Sequence, residues 1–100
     1  MDPPDALLRE RLRALLDQRQ HPKTICPSEV ARSLTAQDLA DLGADGWRDL
    51  MPVIRILVFE ARAASEVEIL QRGAIIGQEV PADTIRGPIR VRKLRESETD

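Results

Sequence analysis

Residues 47–72 read WRDLMPVIRILVFEARAASEVEILQR, and this stretch decides the fold. Over residues 47–65 apolar side chains recur at helical spacing, which predicts a long, partly apolar helix. Residues 67–72 begin by alternating apolar and polar side chains, which predicts a β-strand. A helix that runs directly into a strand is therefore the centre of the predicted fold.

Elements on either side extend this pattern. Apolar residues at helical spacing predict a first helix at about residues 5–18, and Pro27 suits the first position of a short second helix over residues 27–34. Residues 35–46 form a connector with room for one or two helical turns. Clean alternation predicts a second strand over residues 89–94, after a long loop marked by glycine and proline.

Three helices followed by an antiparallel hairpin define the expected architecture. In a chain of 100 residues this order predicts an α+β fold, a winged helix-turn-helix. One domain is expected over residues 1–95, with an acidic tail over residues 96–100. The expected core draws on every element and contains Leu8, Leu12, Leu15, Val30, Leu34, Leu50, Ile54, Leu57, Val58, Val67, Ile69, Ile89 and Val91.

Pro52 interrupts the pattern of the third helix. Proline lacks a backbone N–H and clashes with the preceding helical turn. Either the helix kinks at Pro52, or residues 47–51 form a separate turn and the main helix starts at Pro52. In both cases Trp47 is expected to anchor this region against the core.

Composition limits the classes of protein that the chain can belong to. Apolar residues make up 42% and charged residues 32% of the chain, and the formal net charge is −2, as in ordinary globular proteins. No apolar run approaches the roughly 20 residues of a membrane helix. The N-terminus lacks a signal peptide, and one cysteine excludes an internal disulfide. We therefore expect a cytoplasmic protein that does not enter a membrane.

No motif in the sequence predicts catalysis. Phosphate-binding loops and paired histidines are absent, and His21 is the sole histidine, so the serines lack a plausible base. One cysteine and one histidine do not make a metal site without several carboxylates. We expect no enzyme activity, no catalytic residues, no metal and no cofactor.

Basic residues are concentrated in the second half of the chain. Residues 46–95 hold 9 basic and 6 acidic residues, a local excess of +3. A winged helix meets the phosphate backbone with its third helix and hairpin, and arginine can hold a phosphate or a guanine with two hydrogen bonds. Double-stranded DNA is thus the first expected partner, as for a small transcriptional regulator. The candidate contacts are Arg48, Arg55, Arg72, Arg86, Arg90, Arg92 and Lys93.

Alternation makes a specific prediction for the last strand. Ile89 and Val91 should point inward, so Arg90 and Arg92 should both face solvent. The alternative interpretation is that all these cations are ordinary solvated charges on the surface, without a role in binding.

A second apolar face of the third helix supports an alternative function. Ile56, Phe59 and Ala63 are spaced i, i+3 and i+7, away from the main core stripe. A helix that is apolar on two sides is sandwiched within the protein or faces a partner. We expect this face to be covered by the connector at 35–46 or by another chain. The domain would then bind a protein, or a second copy of itself, without binding DNA.

Several short motifs occur together along the chain. They are TICPSEVAR at 24–32, WR at 47–48, LMP at 50–52, RG at 72–73 and RGPIR at 86–90. In this combination the chain resembles a bacterial family called domain of unknown function 3253. The resemblance implies a compact, winged-helix-like domain and carries over no catalytic or binding residues. Likeness of fold does not assign a function.

Overall fold

A computed structural model describes residues 5–19 and 21–94, so the predicted acidic tail at 96–100 lies outside the described residues. Over these ranges the chain forms an α+β structure of helices and an antiparallel sheet. The helices are α1 (Asp5–Gln18), α2 (Pro27–Arg32), α3 (Ala36–Asp41) and α4 (Met51–Ala63), with 3₁₀ turns at Trp47–Leu50 and Ala82–Thr84. The strands are β1 (Val67–Gln71), β2 (Ala74–Ile76) and β3 (Arg90–Lys93), in the sheet order β2-β1-β3.

Pro52 marks a fresh helix start. The chain makes a 3₁₀ turn over Trp47–Leu50, and α4 begins at Met51 with the proline in its first turn. There the missing N–H costs nothing, because the first N–H groups of a helix have no intrahelical partner. Trp47 is half-buried and packs against the core. The predicted separate turn and the predicted anchor are both confirmed.

The connector contains one short helix, α3. Thr35 Oγ1 accepts a hydrogen bond from the N–H of Asp38, and Asp38 Oδ2 accepts one from the N–H of Thr35, both at 3.0 Å. This reciprocal cap starts α3. Gly43, with a φ of 71°, follows its end. Arg11 Nη2 lies 3.2 Å from Asp38 Oδ2, which ties α3 to α1.

The sheet has one strand more than the two predicted. Arg72 and Gly73 have φ values of 54° and 82°, the left-handed conformation of a tight two-residue hairpin turn. The chain then returns along β1 as β2, a segment that the sequence predicts to be part of a long loop. A three-residue strand gives too short an alternation to be recognised from sequence. The partner predicted for β1, β3, pairs along its other edge.

An isolated antiparallel bridge joins the segment between α1 and α2 to β3. The N–H of Ile25 donates to the carbonyl of Val91 at 2.7 Å, and the N–H of Val91 donates to the carbonyl of Ile25 at 2.8 Å. Ile25 and Val91 are both fully buried. This bridge fixes the segment between α1 and α2 against β3.

The core closely follows the predicted set. Leu15 and Leu34 are half-buried at its edge, whereas the other eleven predicted residues are buried. Leu16, Ile25, Ala31 and Ile85 join them. Ile85 belongs to the β2–β3 loop, so this loop is attached to the core by its own side chain.

Candidate functional site

Two of the seven candidate DNA contacts, Arg55 and Lys93, contact other groups of the domain. Arg55 donates from Nη2 to the carbonyl of Ile85 at 2.8 Å and from Nη1 to the carbonyl of Gly87 at 3.2 Å. Lys93 Nζ lies 2.9 Å from Asp17 Oδ1 on α1. These contacts reduce the freedom of both cations to meet a phosphate.

Arg92 is also engaged, and the expectation that it faces solvent is wrong. Its side chain is 16% exposed, and its Nε lies 2.6 Å from Glu68 Oε2. Glu68 stands directly opposite Arg92 in the antiparallel register, and directly opposed residues share one face of a sheet. Alternation gave the correct face for Arg92 but did not reveal its counter-ion.

The other four candidates, Arg48, Arg72, Arg86 and Arg90, are exposed. The guanidinium of Arg48 stacks over the ring of Trp47, with 4.5 Å between the guanidinium carbon and the ring centroid. Arg90 Nε donates to Thr24 Oγ1 at 2.8 Å. Arg90 is therefore anchored to the segment that leads into α2.

Gln71 holds the tip of the β1–β2 hairpin against the loop before β3. Its Nε2 donates to the carbonyl of Arg86 at 2.5 Å and to that of Pro88 at 3.4 Å. Arg72 follows Gln71 directly, so the hairpin tip lies beside Arg86. Arg90 lies two residues beyond Pro88 in the same region.

Lys23 completes this group. It is exposed and directly precedes Thr24, which Arg90 contacts. Sequence reasoning missed Lys23, because only the bridge between Ile25 and Val91 brings the two segments together. We define the basic end of the domain as Lys23, Arg72, Arg86 and Arg90.

The starts of two helices adjoin the basic end. A groove of about 520 Å³ connects the beginnings of α2 and α4 to Pro88 and Ile89, the last residues of the loop before β3. Its walls are mostly apolar and comprise Cys26, Pro27, Met51, Pro52, Arg55, Pro88 and Ile89. Because a helix N-terminus carries a partial positive charge, the long helix α4 adds to the positive potential of this end.

The second apolar face of α4 is open. Ile56 is 58% exposed, Phe59 is half-buried and Ala63 is exposed. A groove of about 580 Å³ runs along this face, and we call it the α4 groove. Its lining is Pro52, Arg55, Ile56, Phe59, Glu60, Ala63, Ala82 and Asp83.

The expectation that the connector covers this face is wrong. The wall beside α4 comes from Ala82 and Asp83 of the β2–β3 loop. The connector instead packs against α1 and the core, because Asp38 pairs with Arg11 and Leu39 contacts the core. Within the described chain, Ile56 therefore remains exposed.

Two arginines of α4 hold the β2–β3 loop in place. Arg62 is buried, and it donates to the carbonyls of Gly77 at 3.2 Å and Val80 at 2.8 Å. Arg55 holds the later part of the same loop. The ring of Phe59 lies near both guanidinium groups, 5.6 Å from Arg55 and 5.0 Å from Arg62, which is cation–π distance.

The pKa of Glu29 is lowered at the start of α2. Burial favours its neutral form, but hydrogen bonding from the N–H of Cys26 at 2.7 Å and pairing with Arg19 at 2.7 Å outweigh burial. The charged carboxylate therefore stabilises the segment between α1 and α2, close to the basic end.

Within residues 5–19 and 21–94, no group of three or more His, Cys, Asp or Glu side chains is arranged to hold a metal ion. None of the helices in these ranges has the length and hydropathy needed to cross a membrane.

Fold and surface together define a small α+β domain with a three-stranded antiparallel sheet, a basic end and an open apolar helix face. The chain belongs to the family described as protein of unknown function (DUF3253), whose sequence profile matches residues 5–94. The resemblance noted from the sequence is thereby confirmed. A comparison with curated proteins found no match.

Proposed function

We propose that this domain is a cytoplasmic winged helix-turn-helix protein that binds duplex DNA through its basic end. The observation that carries this proposal is the exposure of Lys23, Arg72, Arg86 and Arg90, whose segments are joined by the hydrogen bonds of Gln71 to the carbonyl of Arg86 and of Arg90 to Thr24. Four cations from three separate segments form a surface that suits the negative charge of a phosphate backbone.

The order of elements supports a winged helix. The bridge between Ile25 and Val91 supplies a short strand between α1 and α2, and α4 leads directly into β1. In this interpretation α2 and α4 are the two helices of the motif, and the hairpin tip at Arg72 belongs to the wing. The connector with α3 replaces the usual short turn between the helices.

The mode of binding follows from the side chains of α4. A recognition helix reads bases with polar side chains that reach their edges. Val53 and Ile56, the large exposed side chains near the start of α4, are apolar. We therefore propose that the domain holds phosphates and has little preference for sequence.

A double variant, Arg86→Ala with Arg90→Ala, tests this site. Its affinity for generic duplex DNA should fall for all sequences alike, and the slope of log affinity against log salt should flatten by up to about 1.8. The matched control is Arg13→Ala, because Arg13 is an exposed arginine of α1 in a cleft that also contains Lys93 and Asp17. A double variant that binds like the parent, with the same slope, would rule out the basic end.

The open face of α4 favours a second candidate function, a protein-interaction module. Large exposed apolar side chains grouped on one face often mark an interaction site. Ile56, with more than half of its surface exposed, is the observation that favours this candidate.

A further inference from the structure

The exposed face of α4 has the spacing of a short coiled-coil seam. Pro52, Ile56, Phe59 and Ala63 follow one another at intervals of four, three and four residues, and all four line the α4 groove. This alternation is that of the a and d positions of a heptad, in which Ile56 and Ala63 are a and Pro52 and Phe59 are d. A helix with such a seam matches a second helix with the same seam.

The charges beside the seam indicate the direction of the partner helix. In the same heptad Arg55 occupies position g and Glu60 position e, and both line the groove. In a parallel pair of helices, position g of one helix lies next to position e, five residues on, of the other. Arg55 of one copy would thus lie beside Glu60 of the next, and the two-fold axis would create this pair twice.

We propose that two copies of this chain associate through the α4 groove, with their α4 helices parallel about a two-fold axis. Ile56 then packs against Ile56 of the second copy, Phe59 against Phe59, and Ala63 against Ala63. Such an interface is isologous, since the same surface serves both copies. The dimer uses the lining of the α4 groove and none of the four cations of the basic end.

The contacts of the isolated chain leave the two charged residues able to pair. Arg55 donates one hydrogen bond from each terminal nitrogen to the β2–β3 loop, and a guanidinium has five N–H donors. Glu60 contacts Arg9 through one oxygen and is half exposed. The seam covers fewer than two heptads, so the dimer should be concentration-dependent.

Sedimentation equilibrium of the full chain tests this proposal over a roughly hundredfold range of concentration. The parent should approach twice its chain mass of 11.2 kDa. Ile56→Asp should raise the dissociation constant at least about tenfold, because it removes an apolar residue from the seam. The matched control is Ile75→Asp, since Ile75 is 53% exposed on β2 and is not part of the groove lining.

A charge variant tests the register independently. Glu60→Lys should also weaken the dimer, because it would put a cation beside Arg55 of the second copy. Glu66→Lys makes the same change of charge at an exposed position after α4 and should leave the dimer unchanged. Circular dichroism of each variant confirms that the fold is retained.

A cysteine variant tests the parallel direction. Cys26 is the sole cysteine, so Cys26→Ser provides a background for Ile56→Cys. In a parallel pair the two new thiols face each other and should form a disulfide on oxidation, whereas Ile75→Cys in the same background should not. A parent that stays monomeric, an Ile56→Asp protein that dimerises like Ile75→Asp, or a dimer without the disulfide would each overturn the proposal.

Discussion

Arg62 donates from Nη2 to the carbonyl oxygen of Val80 at 2.8 Å, and this contact joins the buried side of α4 to the β2–β3 loop. A second hydrogen bond from Arg62 reaches Gly77. Burying a guanidinium is costly unless its donors find acceptors. The loop supplies acceptors for both terminal nitrogens of Arg62, and in turn it forms the wall of the α4 groove.

Arg62→Ala should therefore destabilise the domain by about 2–4 kcal/mol, because two charge-assisted hydrogen bonds are lost and two loop carbonyls lose their donor. Urea unfolding measures this change, and limited proteolysis should show earlier cleavage in residues 77–84. Arg13→Ala, in the exposed part of α1, is the control and should change stability by less than about 0.5 kcal/mol. Equal stability of the two variants would mean that Arg62 does not hold the loop.

Core substitutions should be more costly than changes at exposed apolar positions. Leu12 and Leu57 are 5% and 3% exposed, so Leu12→Ala or Leu57→Ala should each cost about 2–5 kcal/mol. Ile75→Ala removes an apolar side chain that is largely in solvent and should change the free energy of unfolding by less than about 0.5 kcal/mol. Thermal or urea unfolding of the three variants checks this order. A Leu57→Ala protein as stable as Ile75→Ala would contradict the described packing.

Replacing Gly73 by alanine should cost more stability than replacing Gly46 by alanine. An added Cβ meets nothing within 4 Å at either position, but Gly73 has a φ of 82°. Left-handed backbone costs a non-glycine residue about 1–2 kcal/mol. Gly73→Ala should thus destabilise the protein by about 1 kcal/mol, whereas Gly46→Ala should be neutral or slightly stabilising. Equal effects would show that the hairpin turn does not need its left-handed backbone.

The lowered pKa of Glu29 predicts how the stability of the fold depends on pH. Its pKa is lower in the folded protein than in the unfolded chain. Such a group contributes stability that is fully present above its unfolded pKa and is lost as the pH falls through its folded pKa. Below about pH 4.5 the parent should therefore lose stability, and Glu29→Gln should lose less over the same range. Urea unfolding at neutral and acidic pH measures the difference, and an identical pH dependence would contradict this role.

The helices and the core were largely predictable because they depend on local periodicity. Leu8, Leu12, Ile54 and Leu57 recur at helical spacing, and all are buried. The short strand β2 was not predictable, since Arg72 can adopt the left-handed conformation of the turn only at a cost that sequence does not signal. β2 can be recognised only from its pairing with β1 and not from its own three residues.

The candidate site was only partly predictable, because residues that are distant in the sequence decide whether a cation is available to contact DNA. Arg55 and Arg92 look like surface cations in sequence, but the loop carbonyls and Glu68 engage them. Lys23 was missed for the opposite reason, since it approaches Arg90 only through the pairing of Ile25 with Val91. Exposure, by contrast, was correctly expected at Arg90.

The affinity of the unmodified protein for generic duplex DNA, measured at several salt concentrations, tests the central claim most directly. If the four cations of the basic end hold phosphates, log affinity should fall linearly against log salt with a slope of about −3 to −4. Duplexes of different sequence should give nearly the same values. Absence of binding at low salt, or binding whose affinity does not change with salt, would contradict the claim that this domain holds DNA through Lys23, Arg72, Arg86 and Arg90.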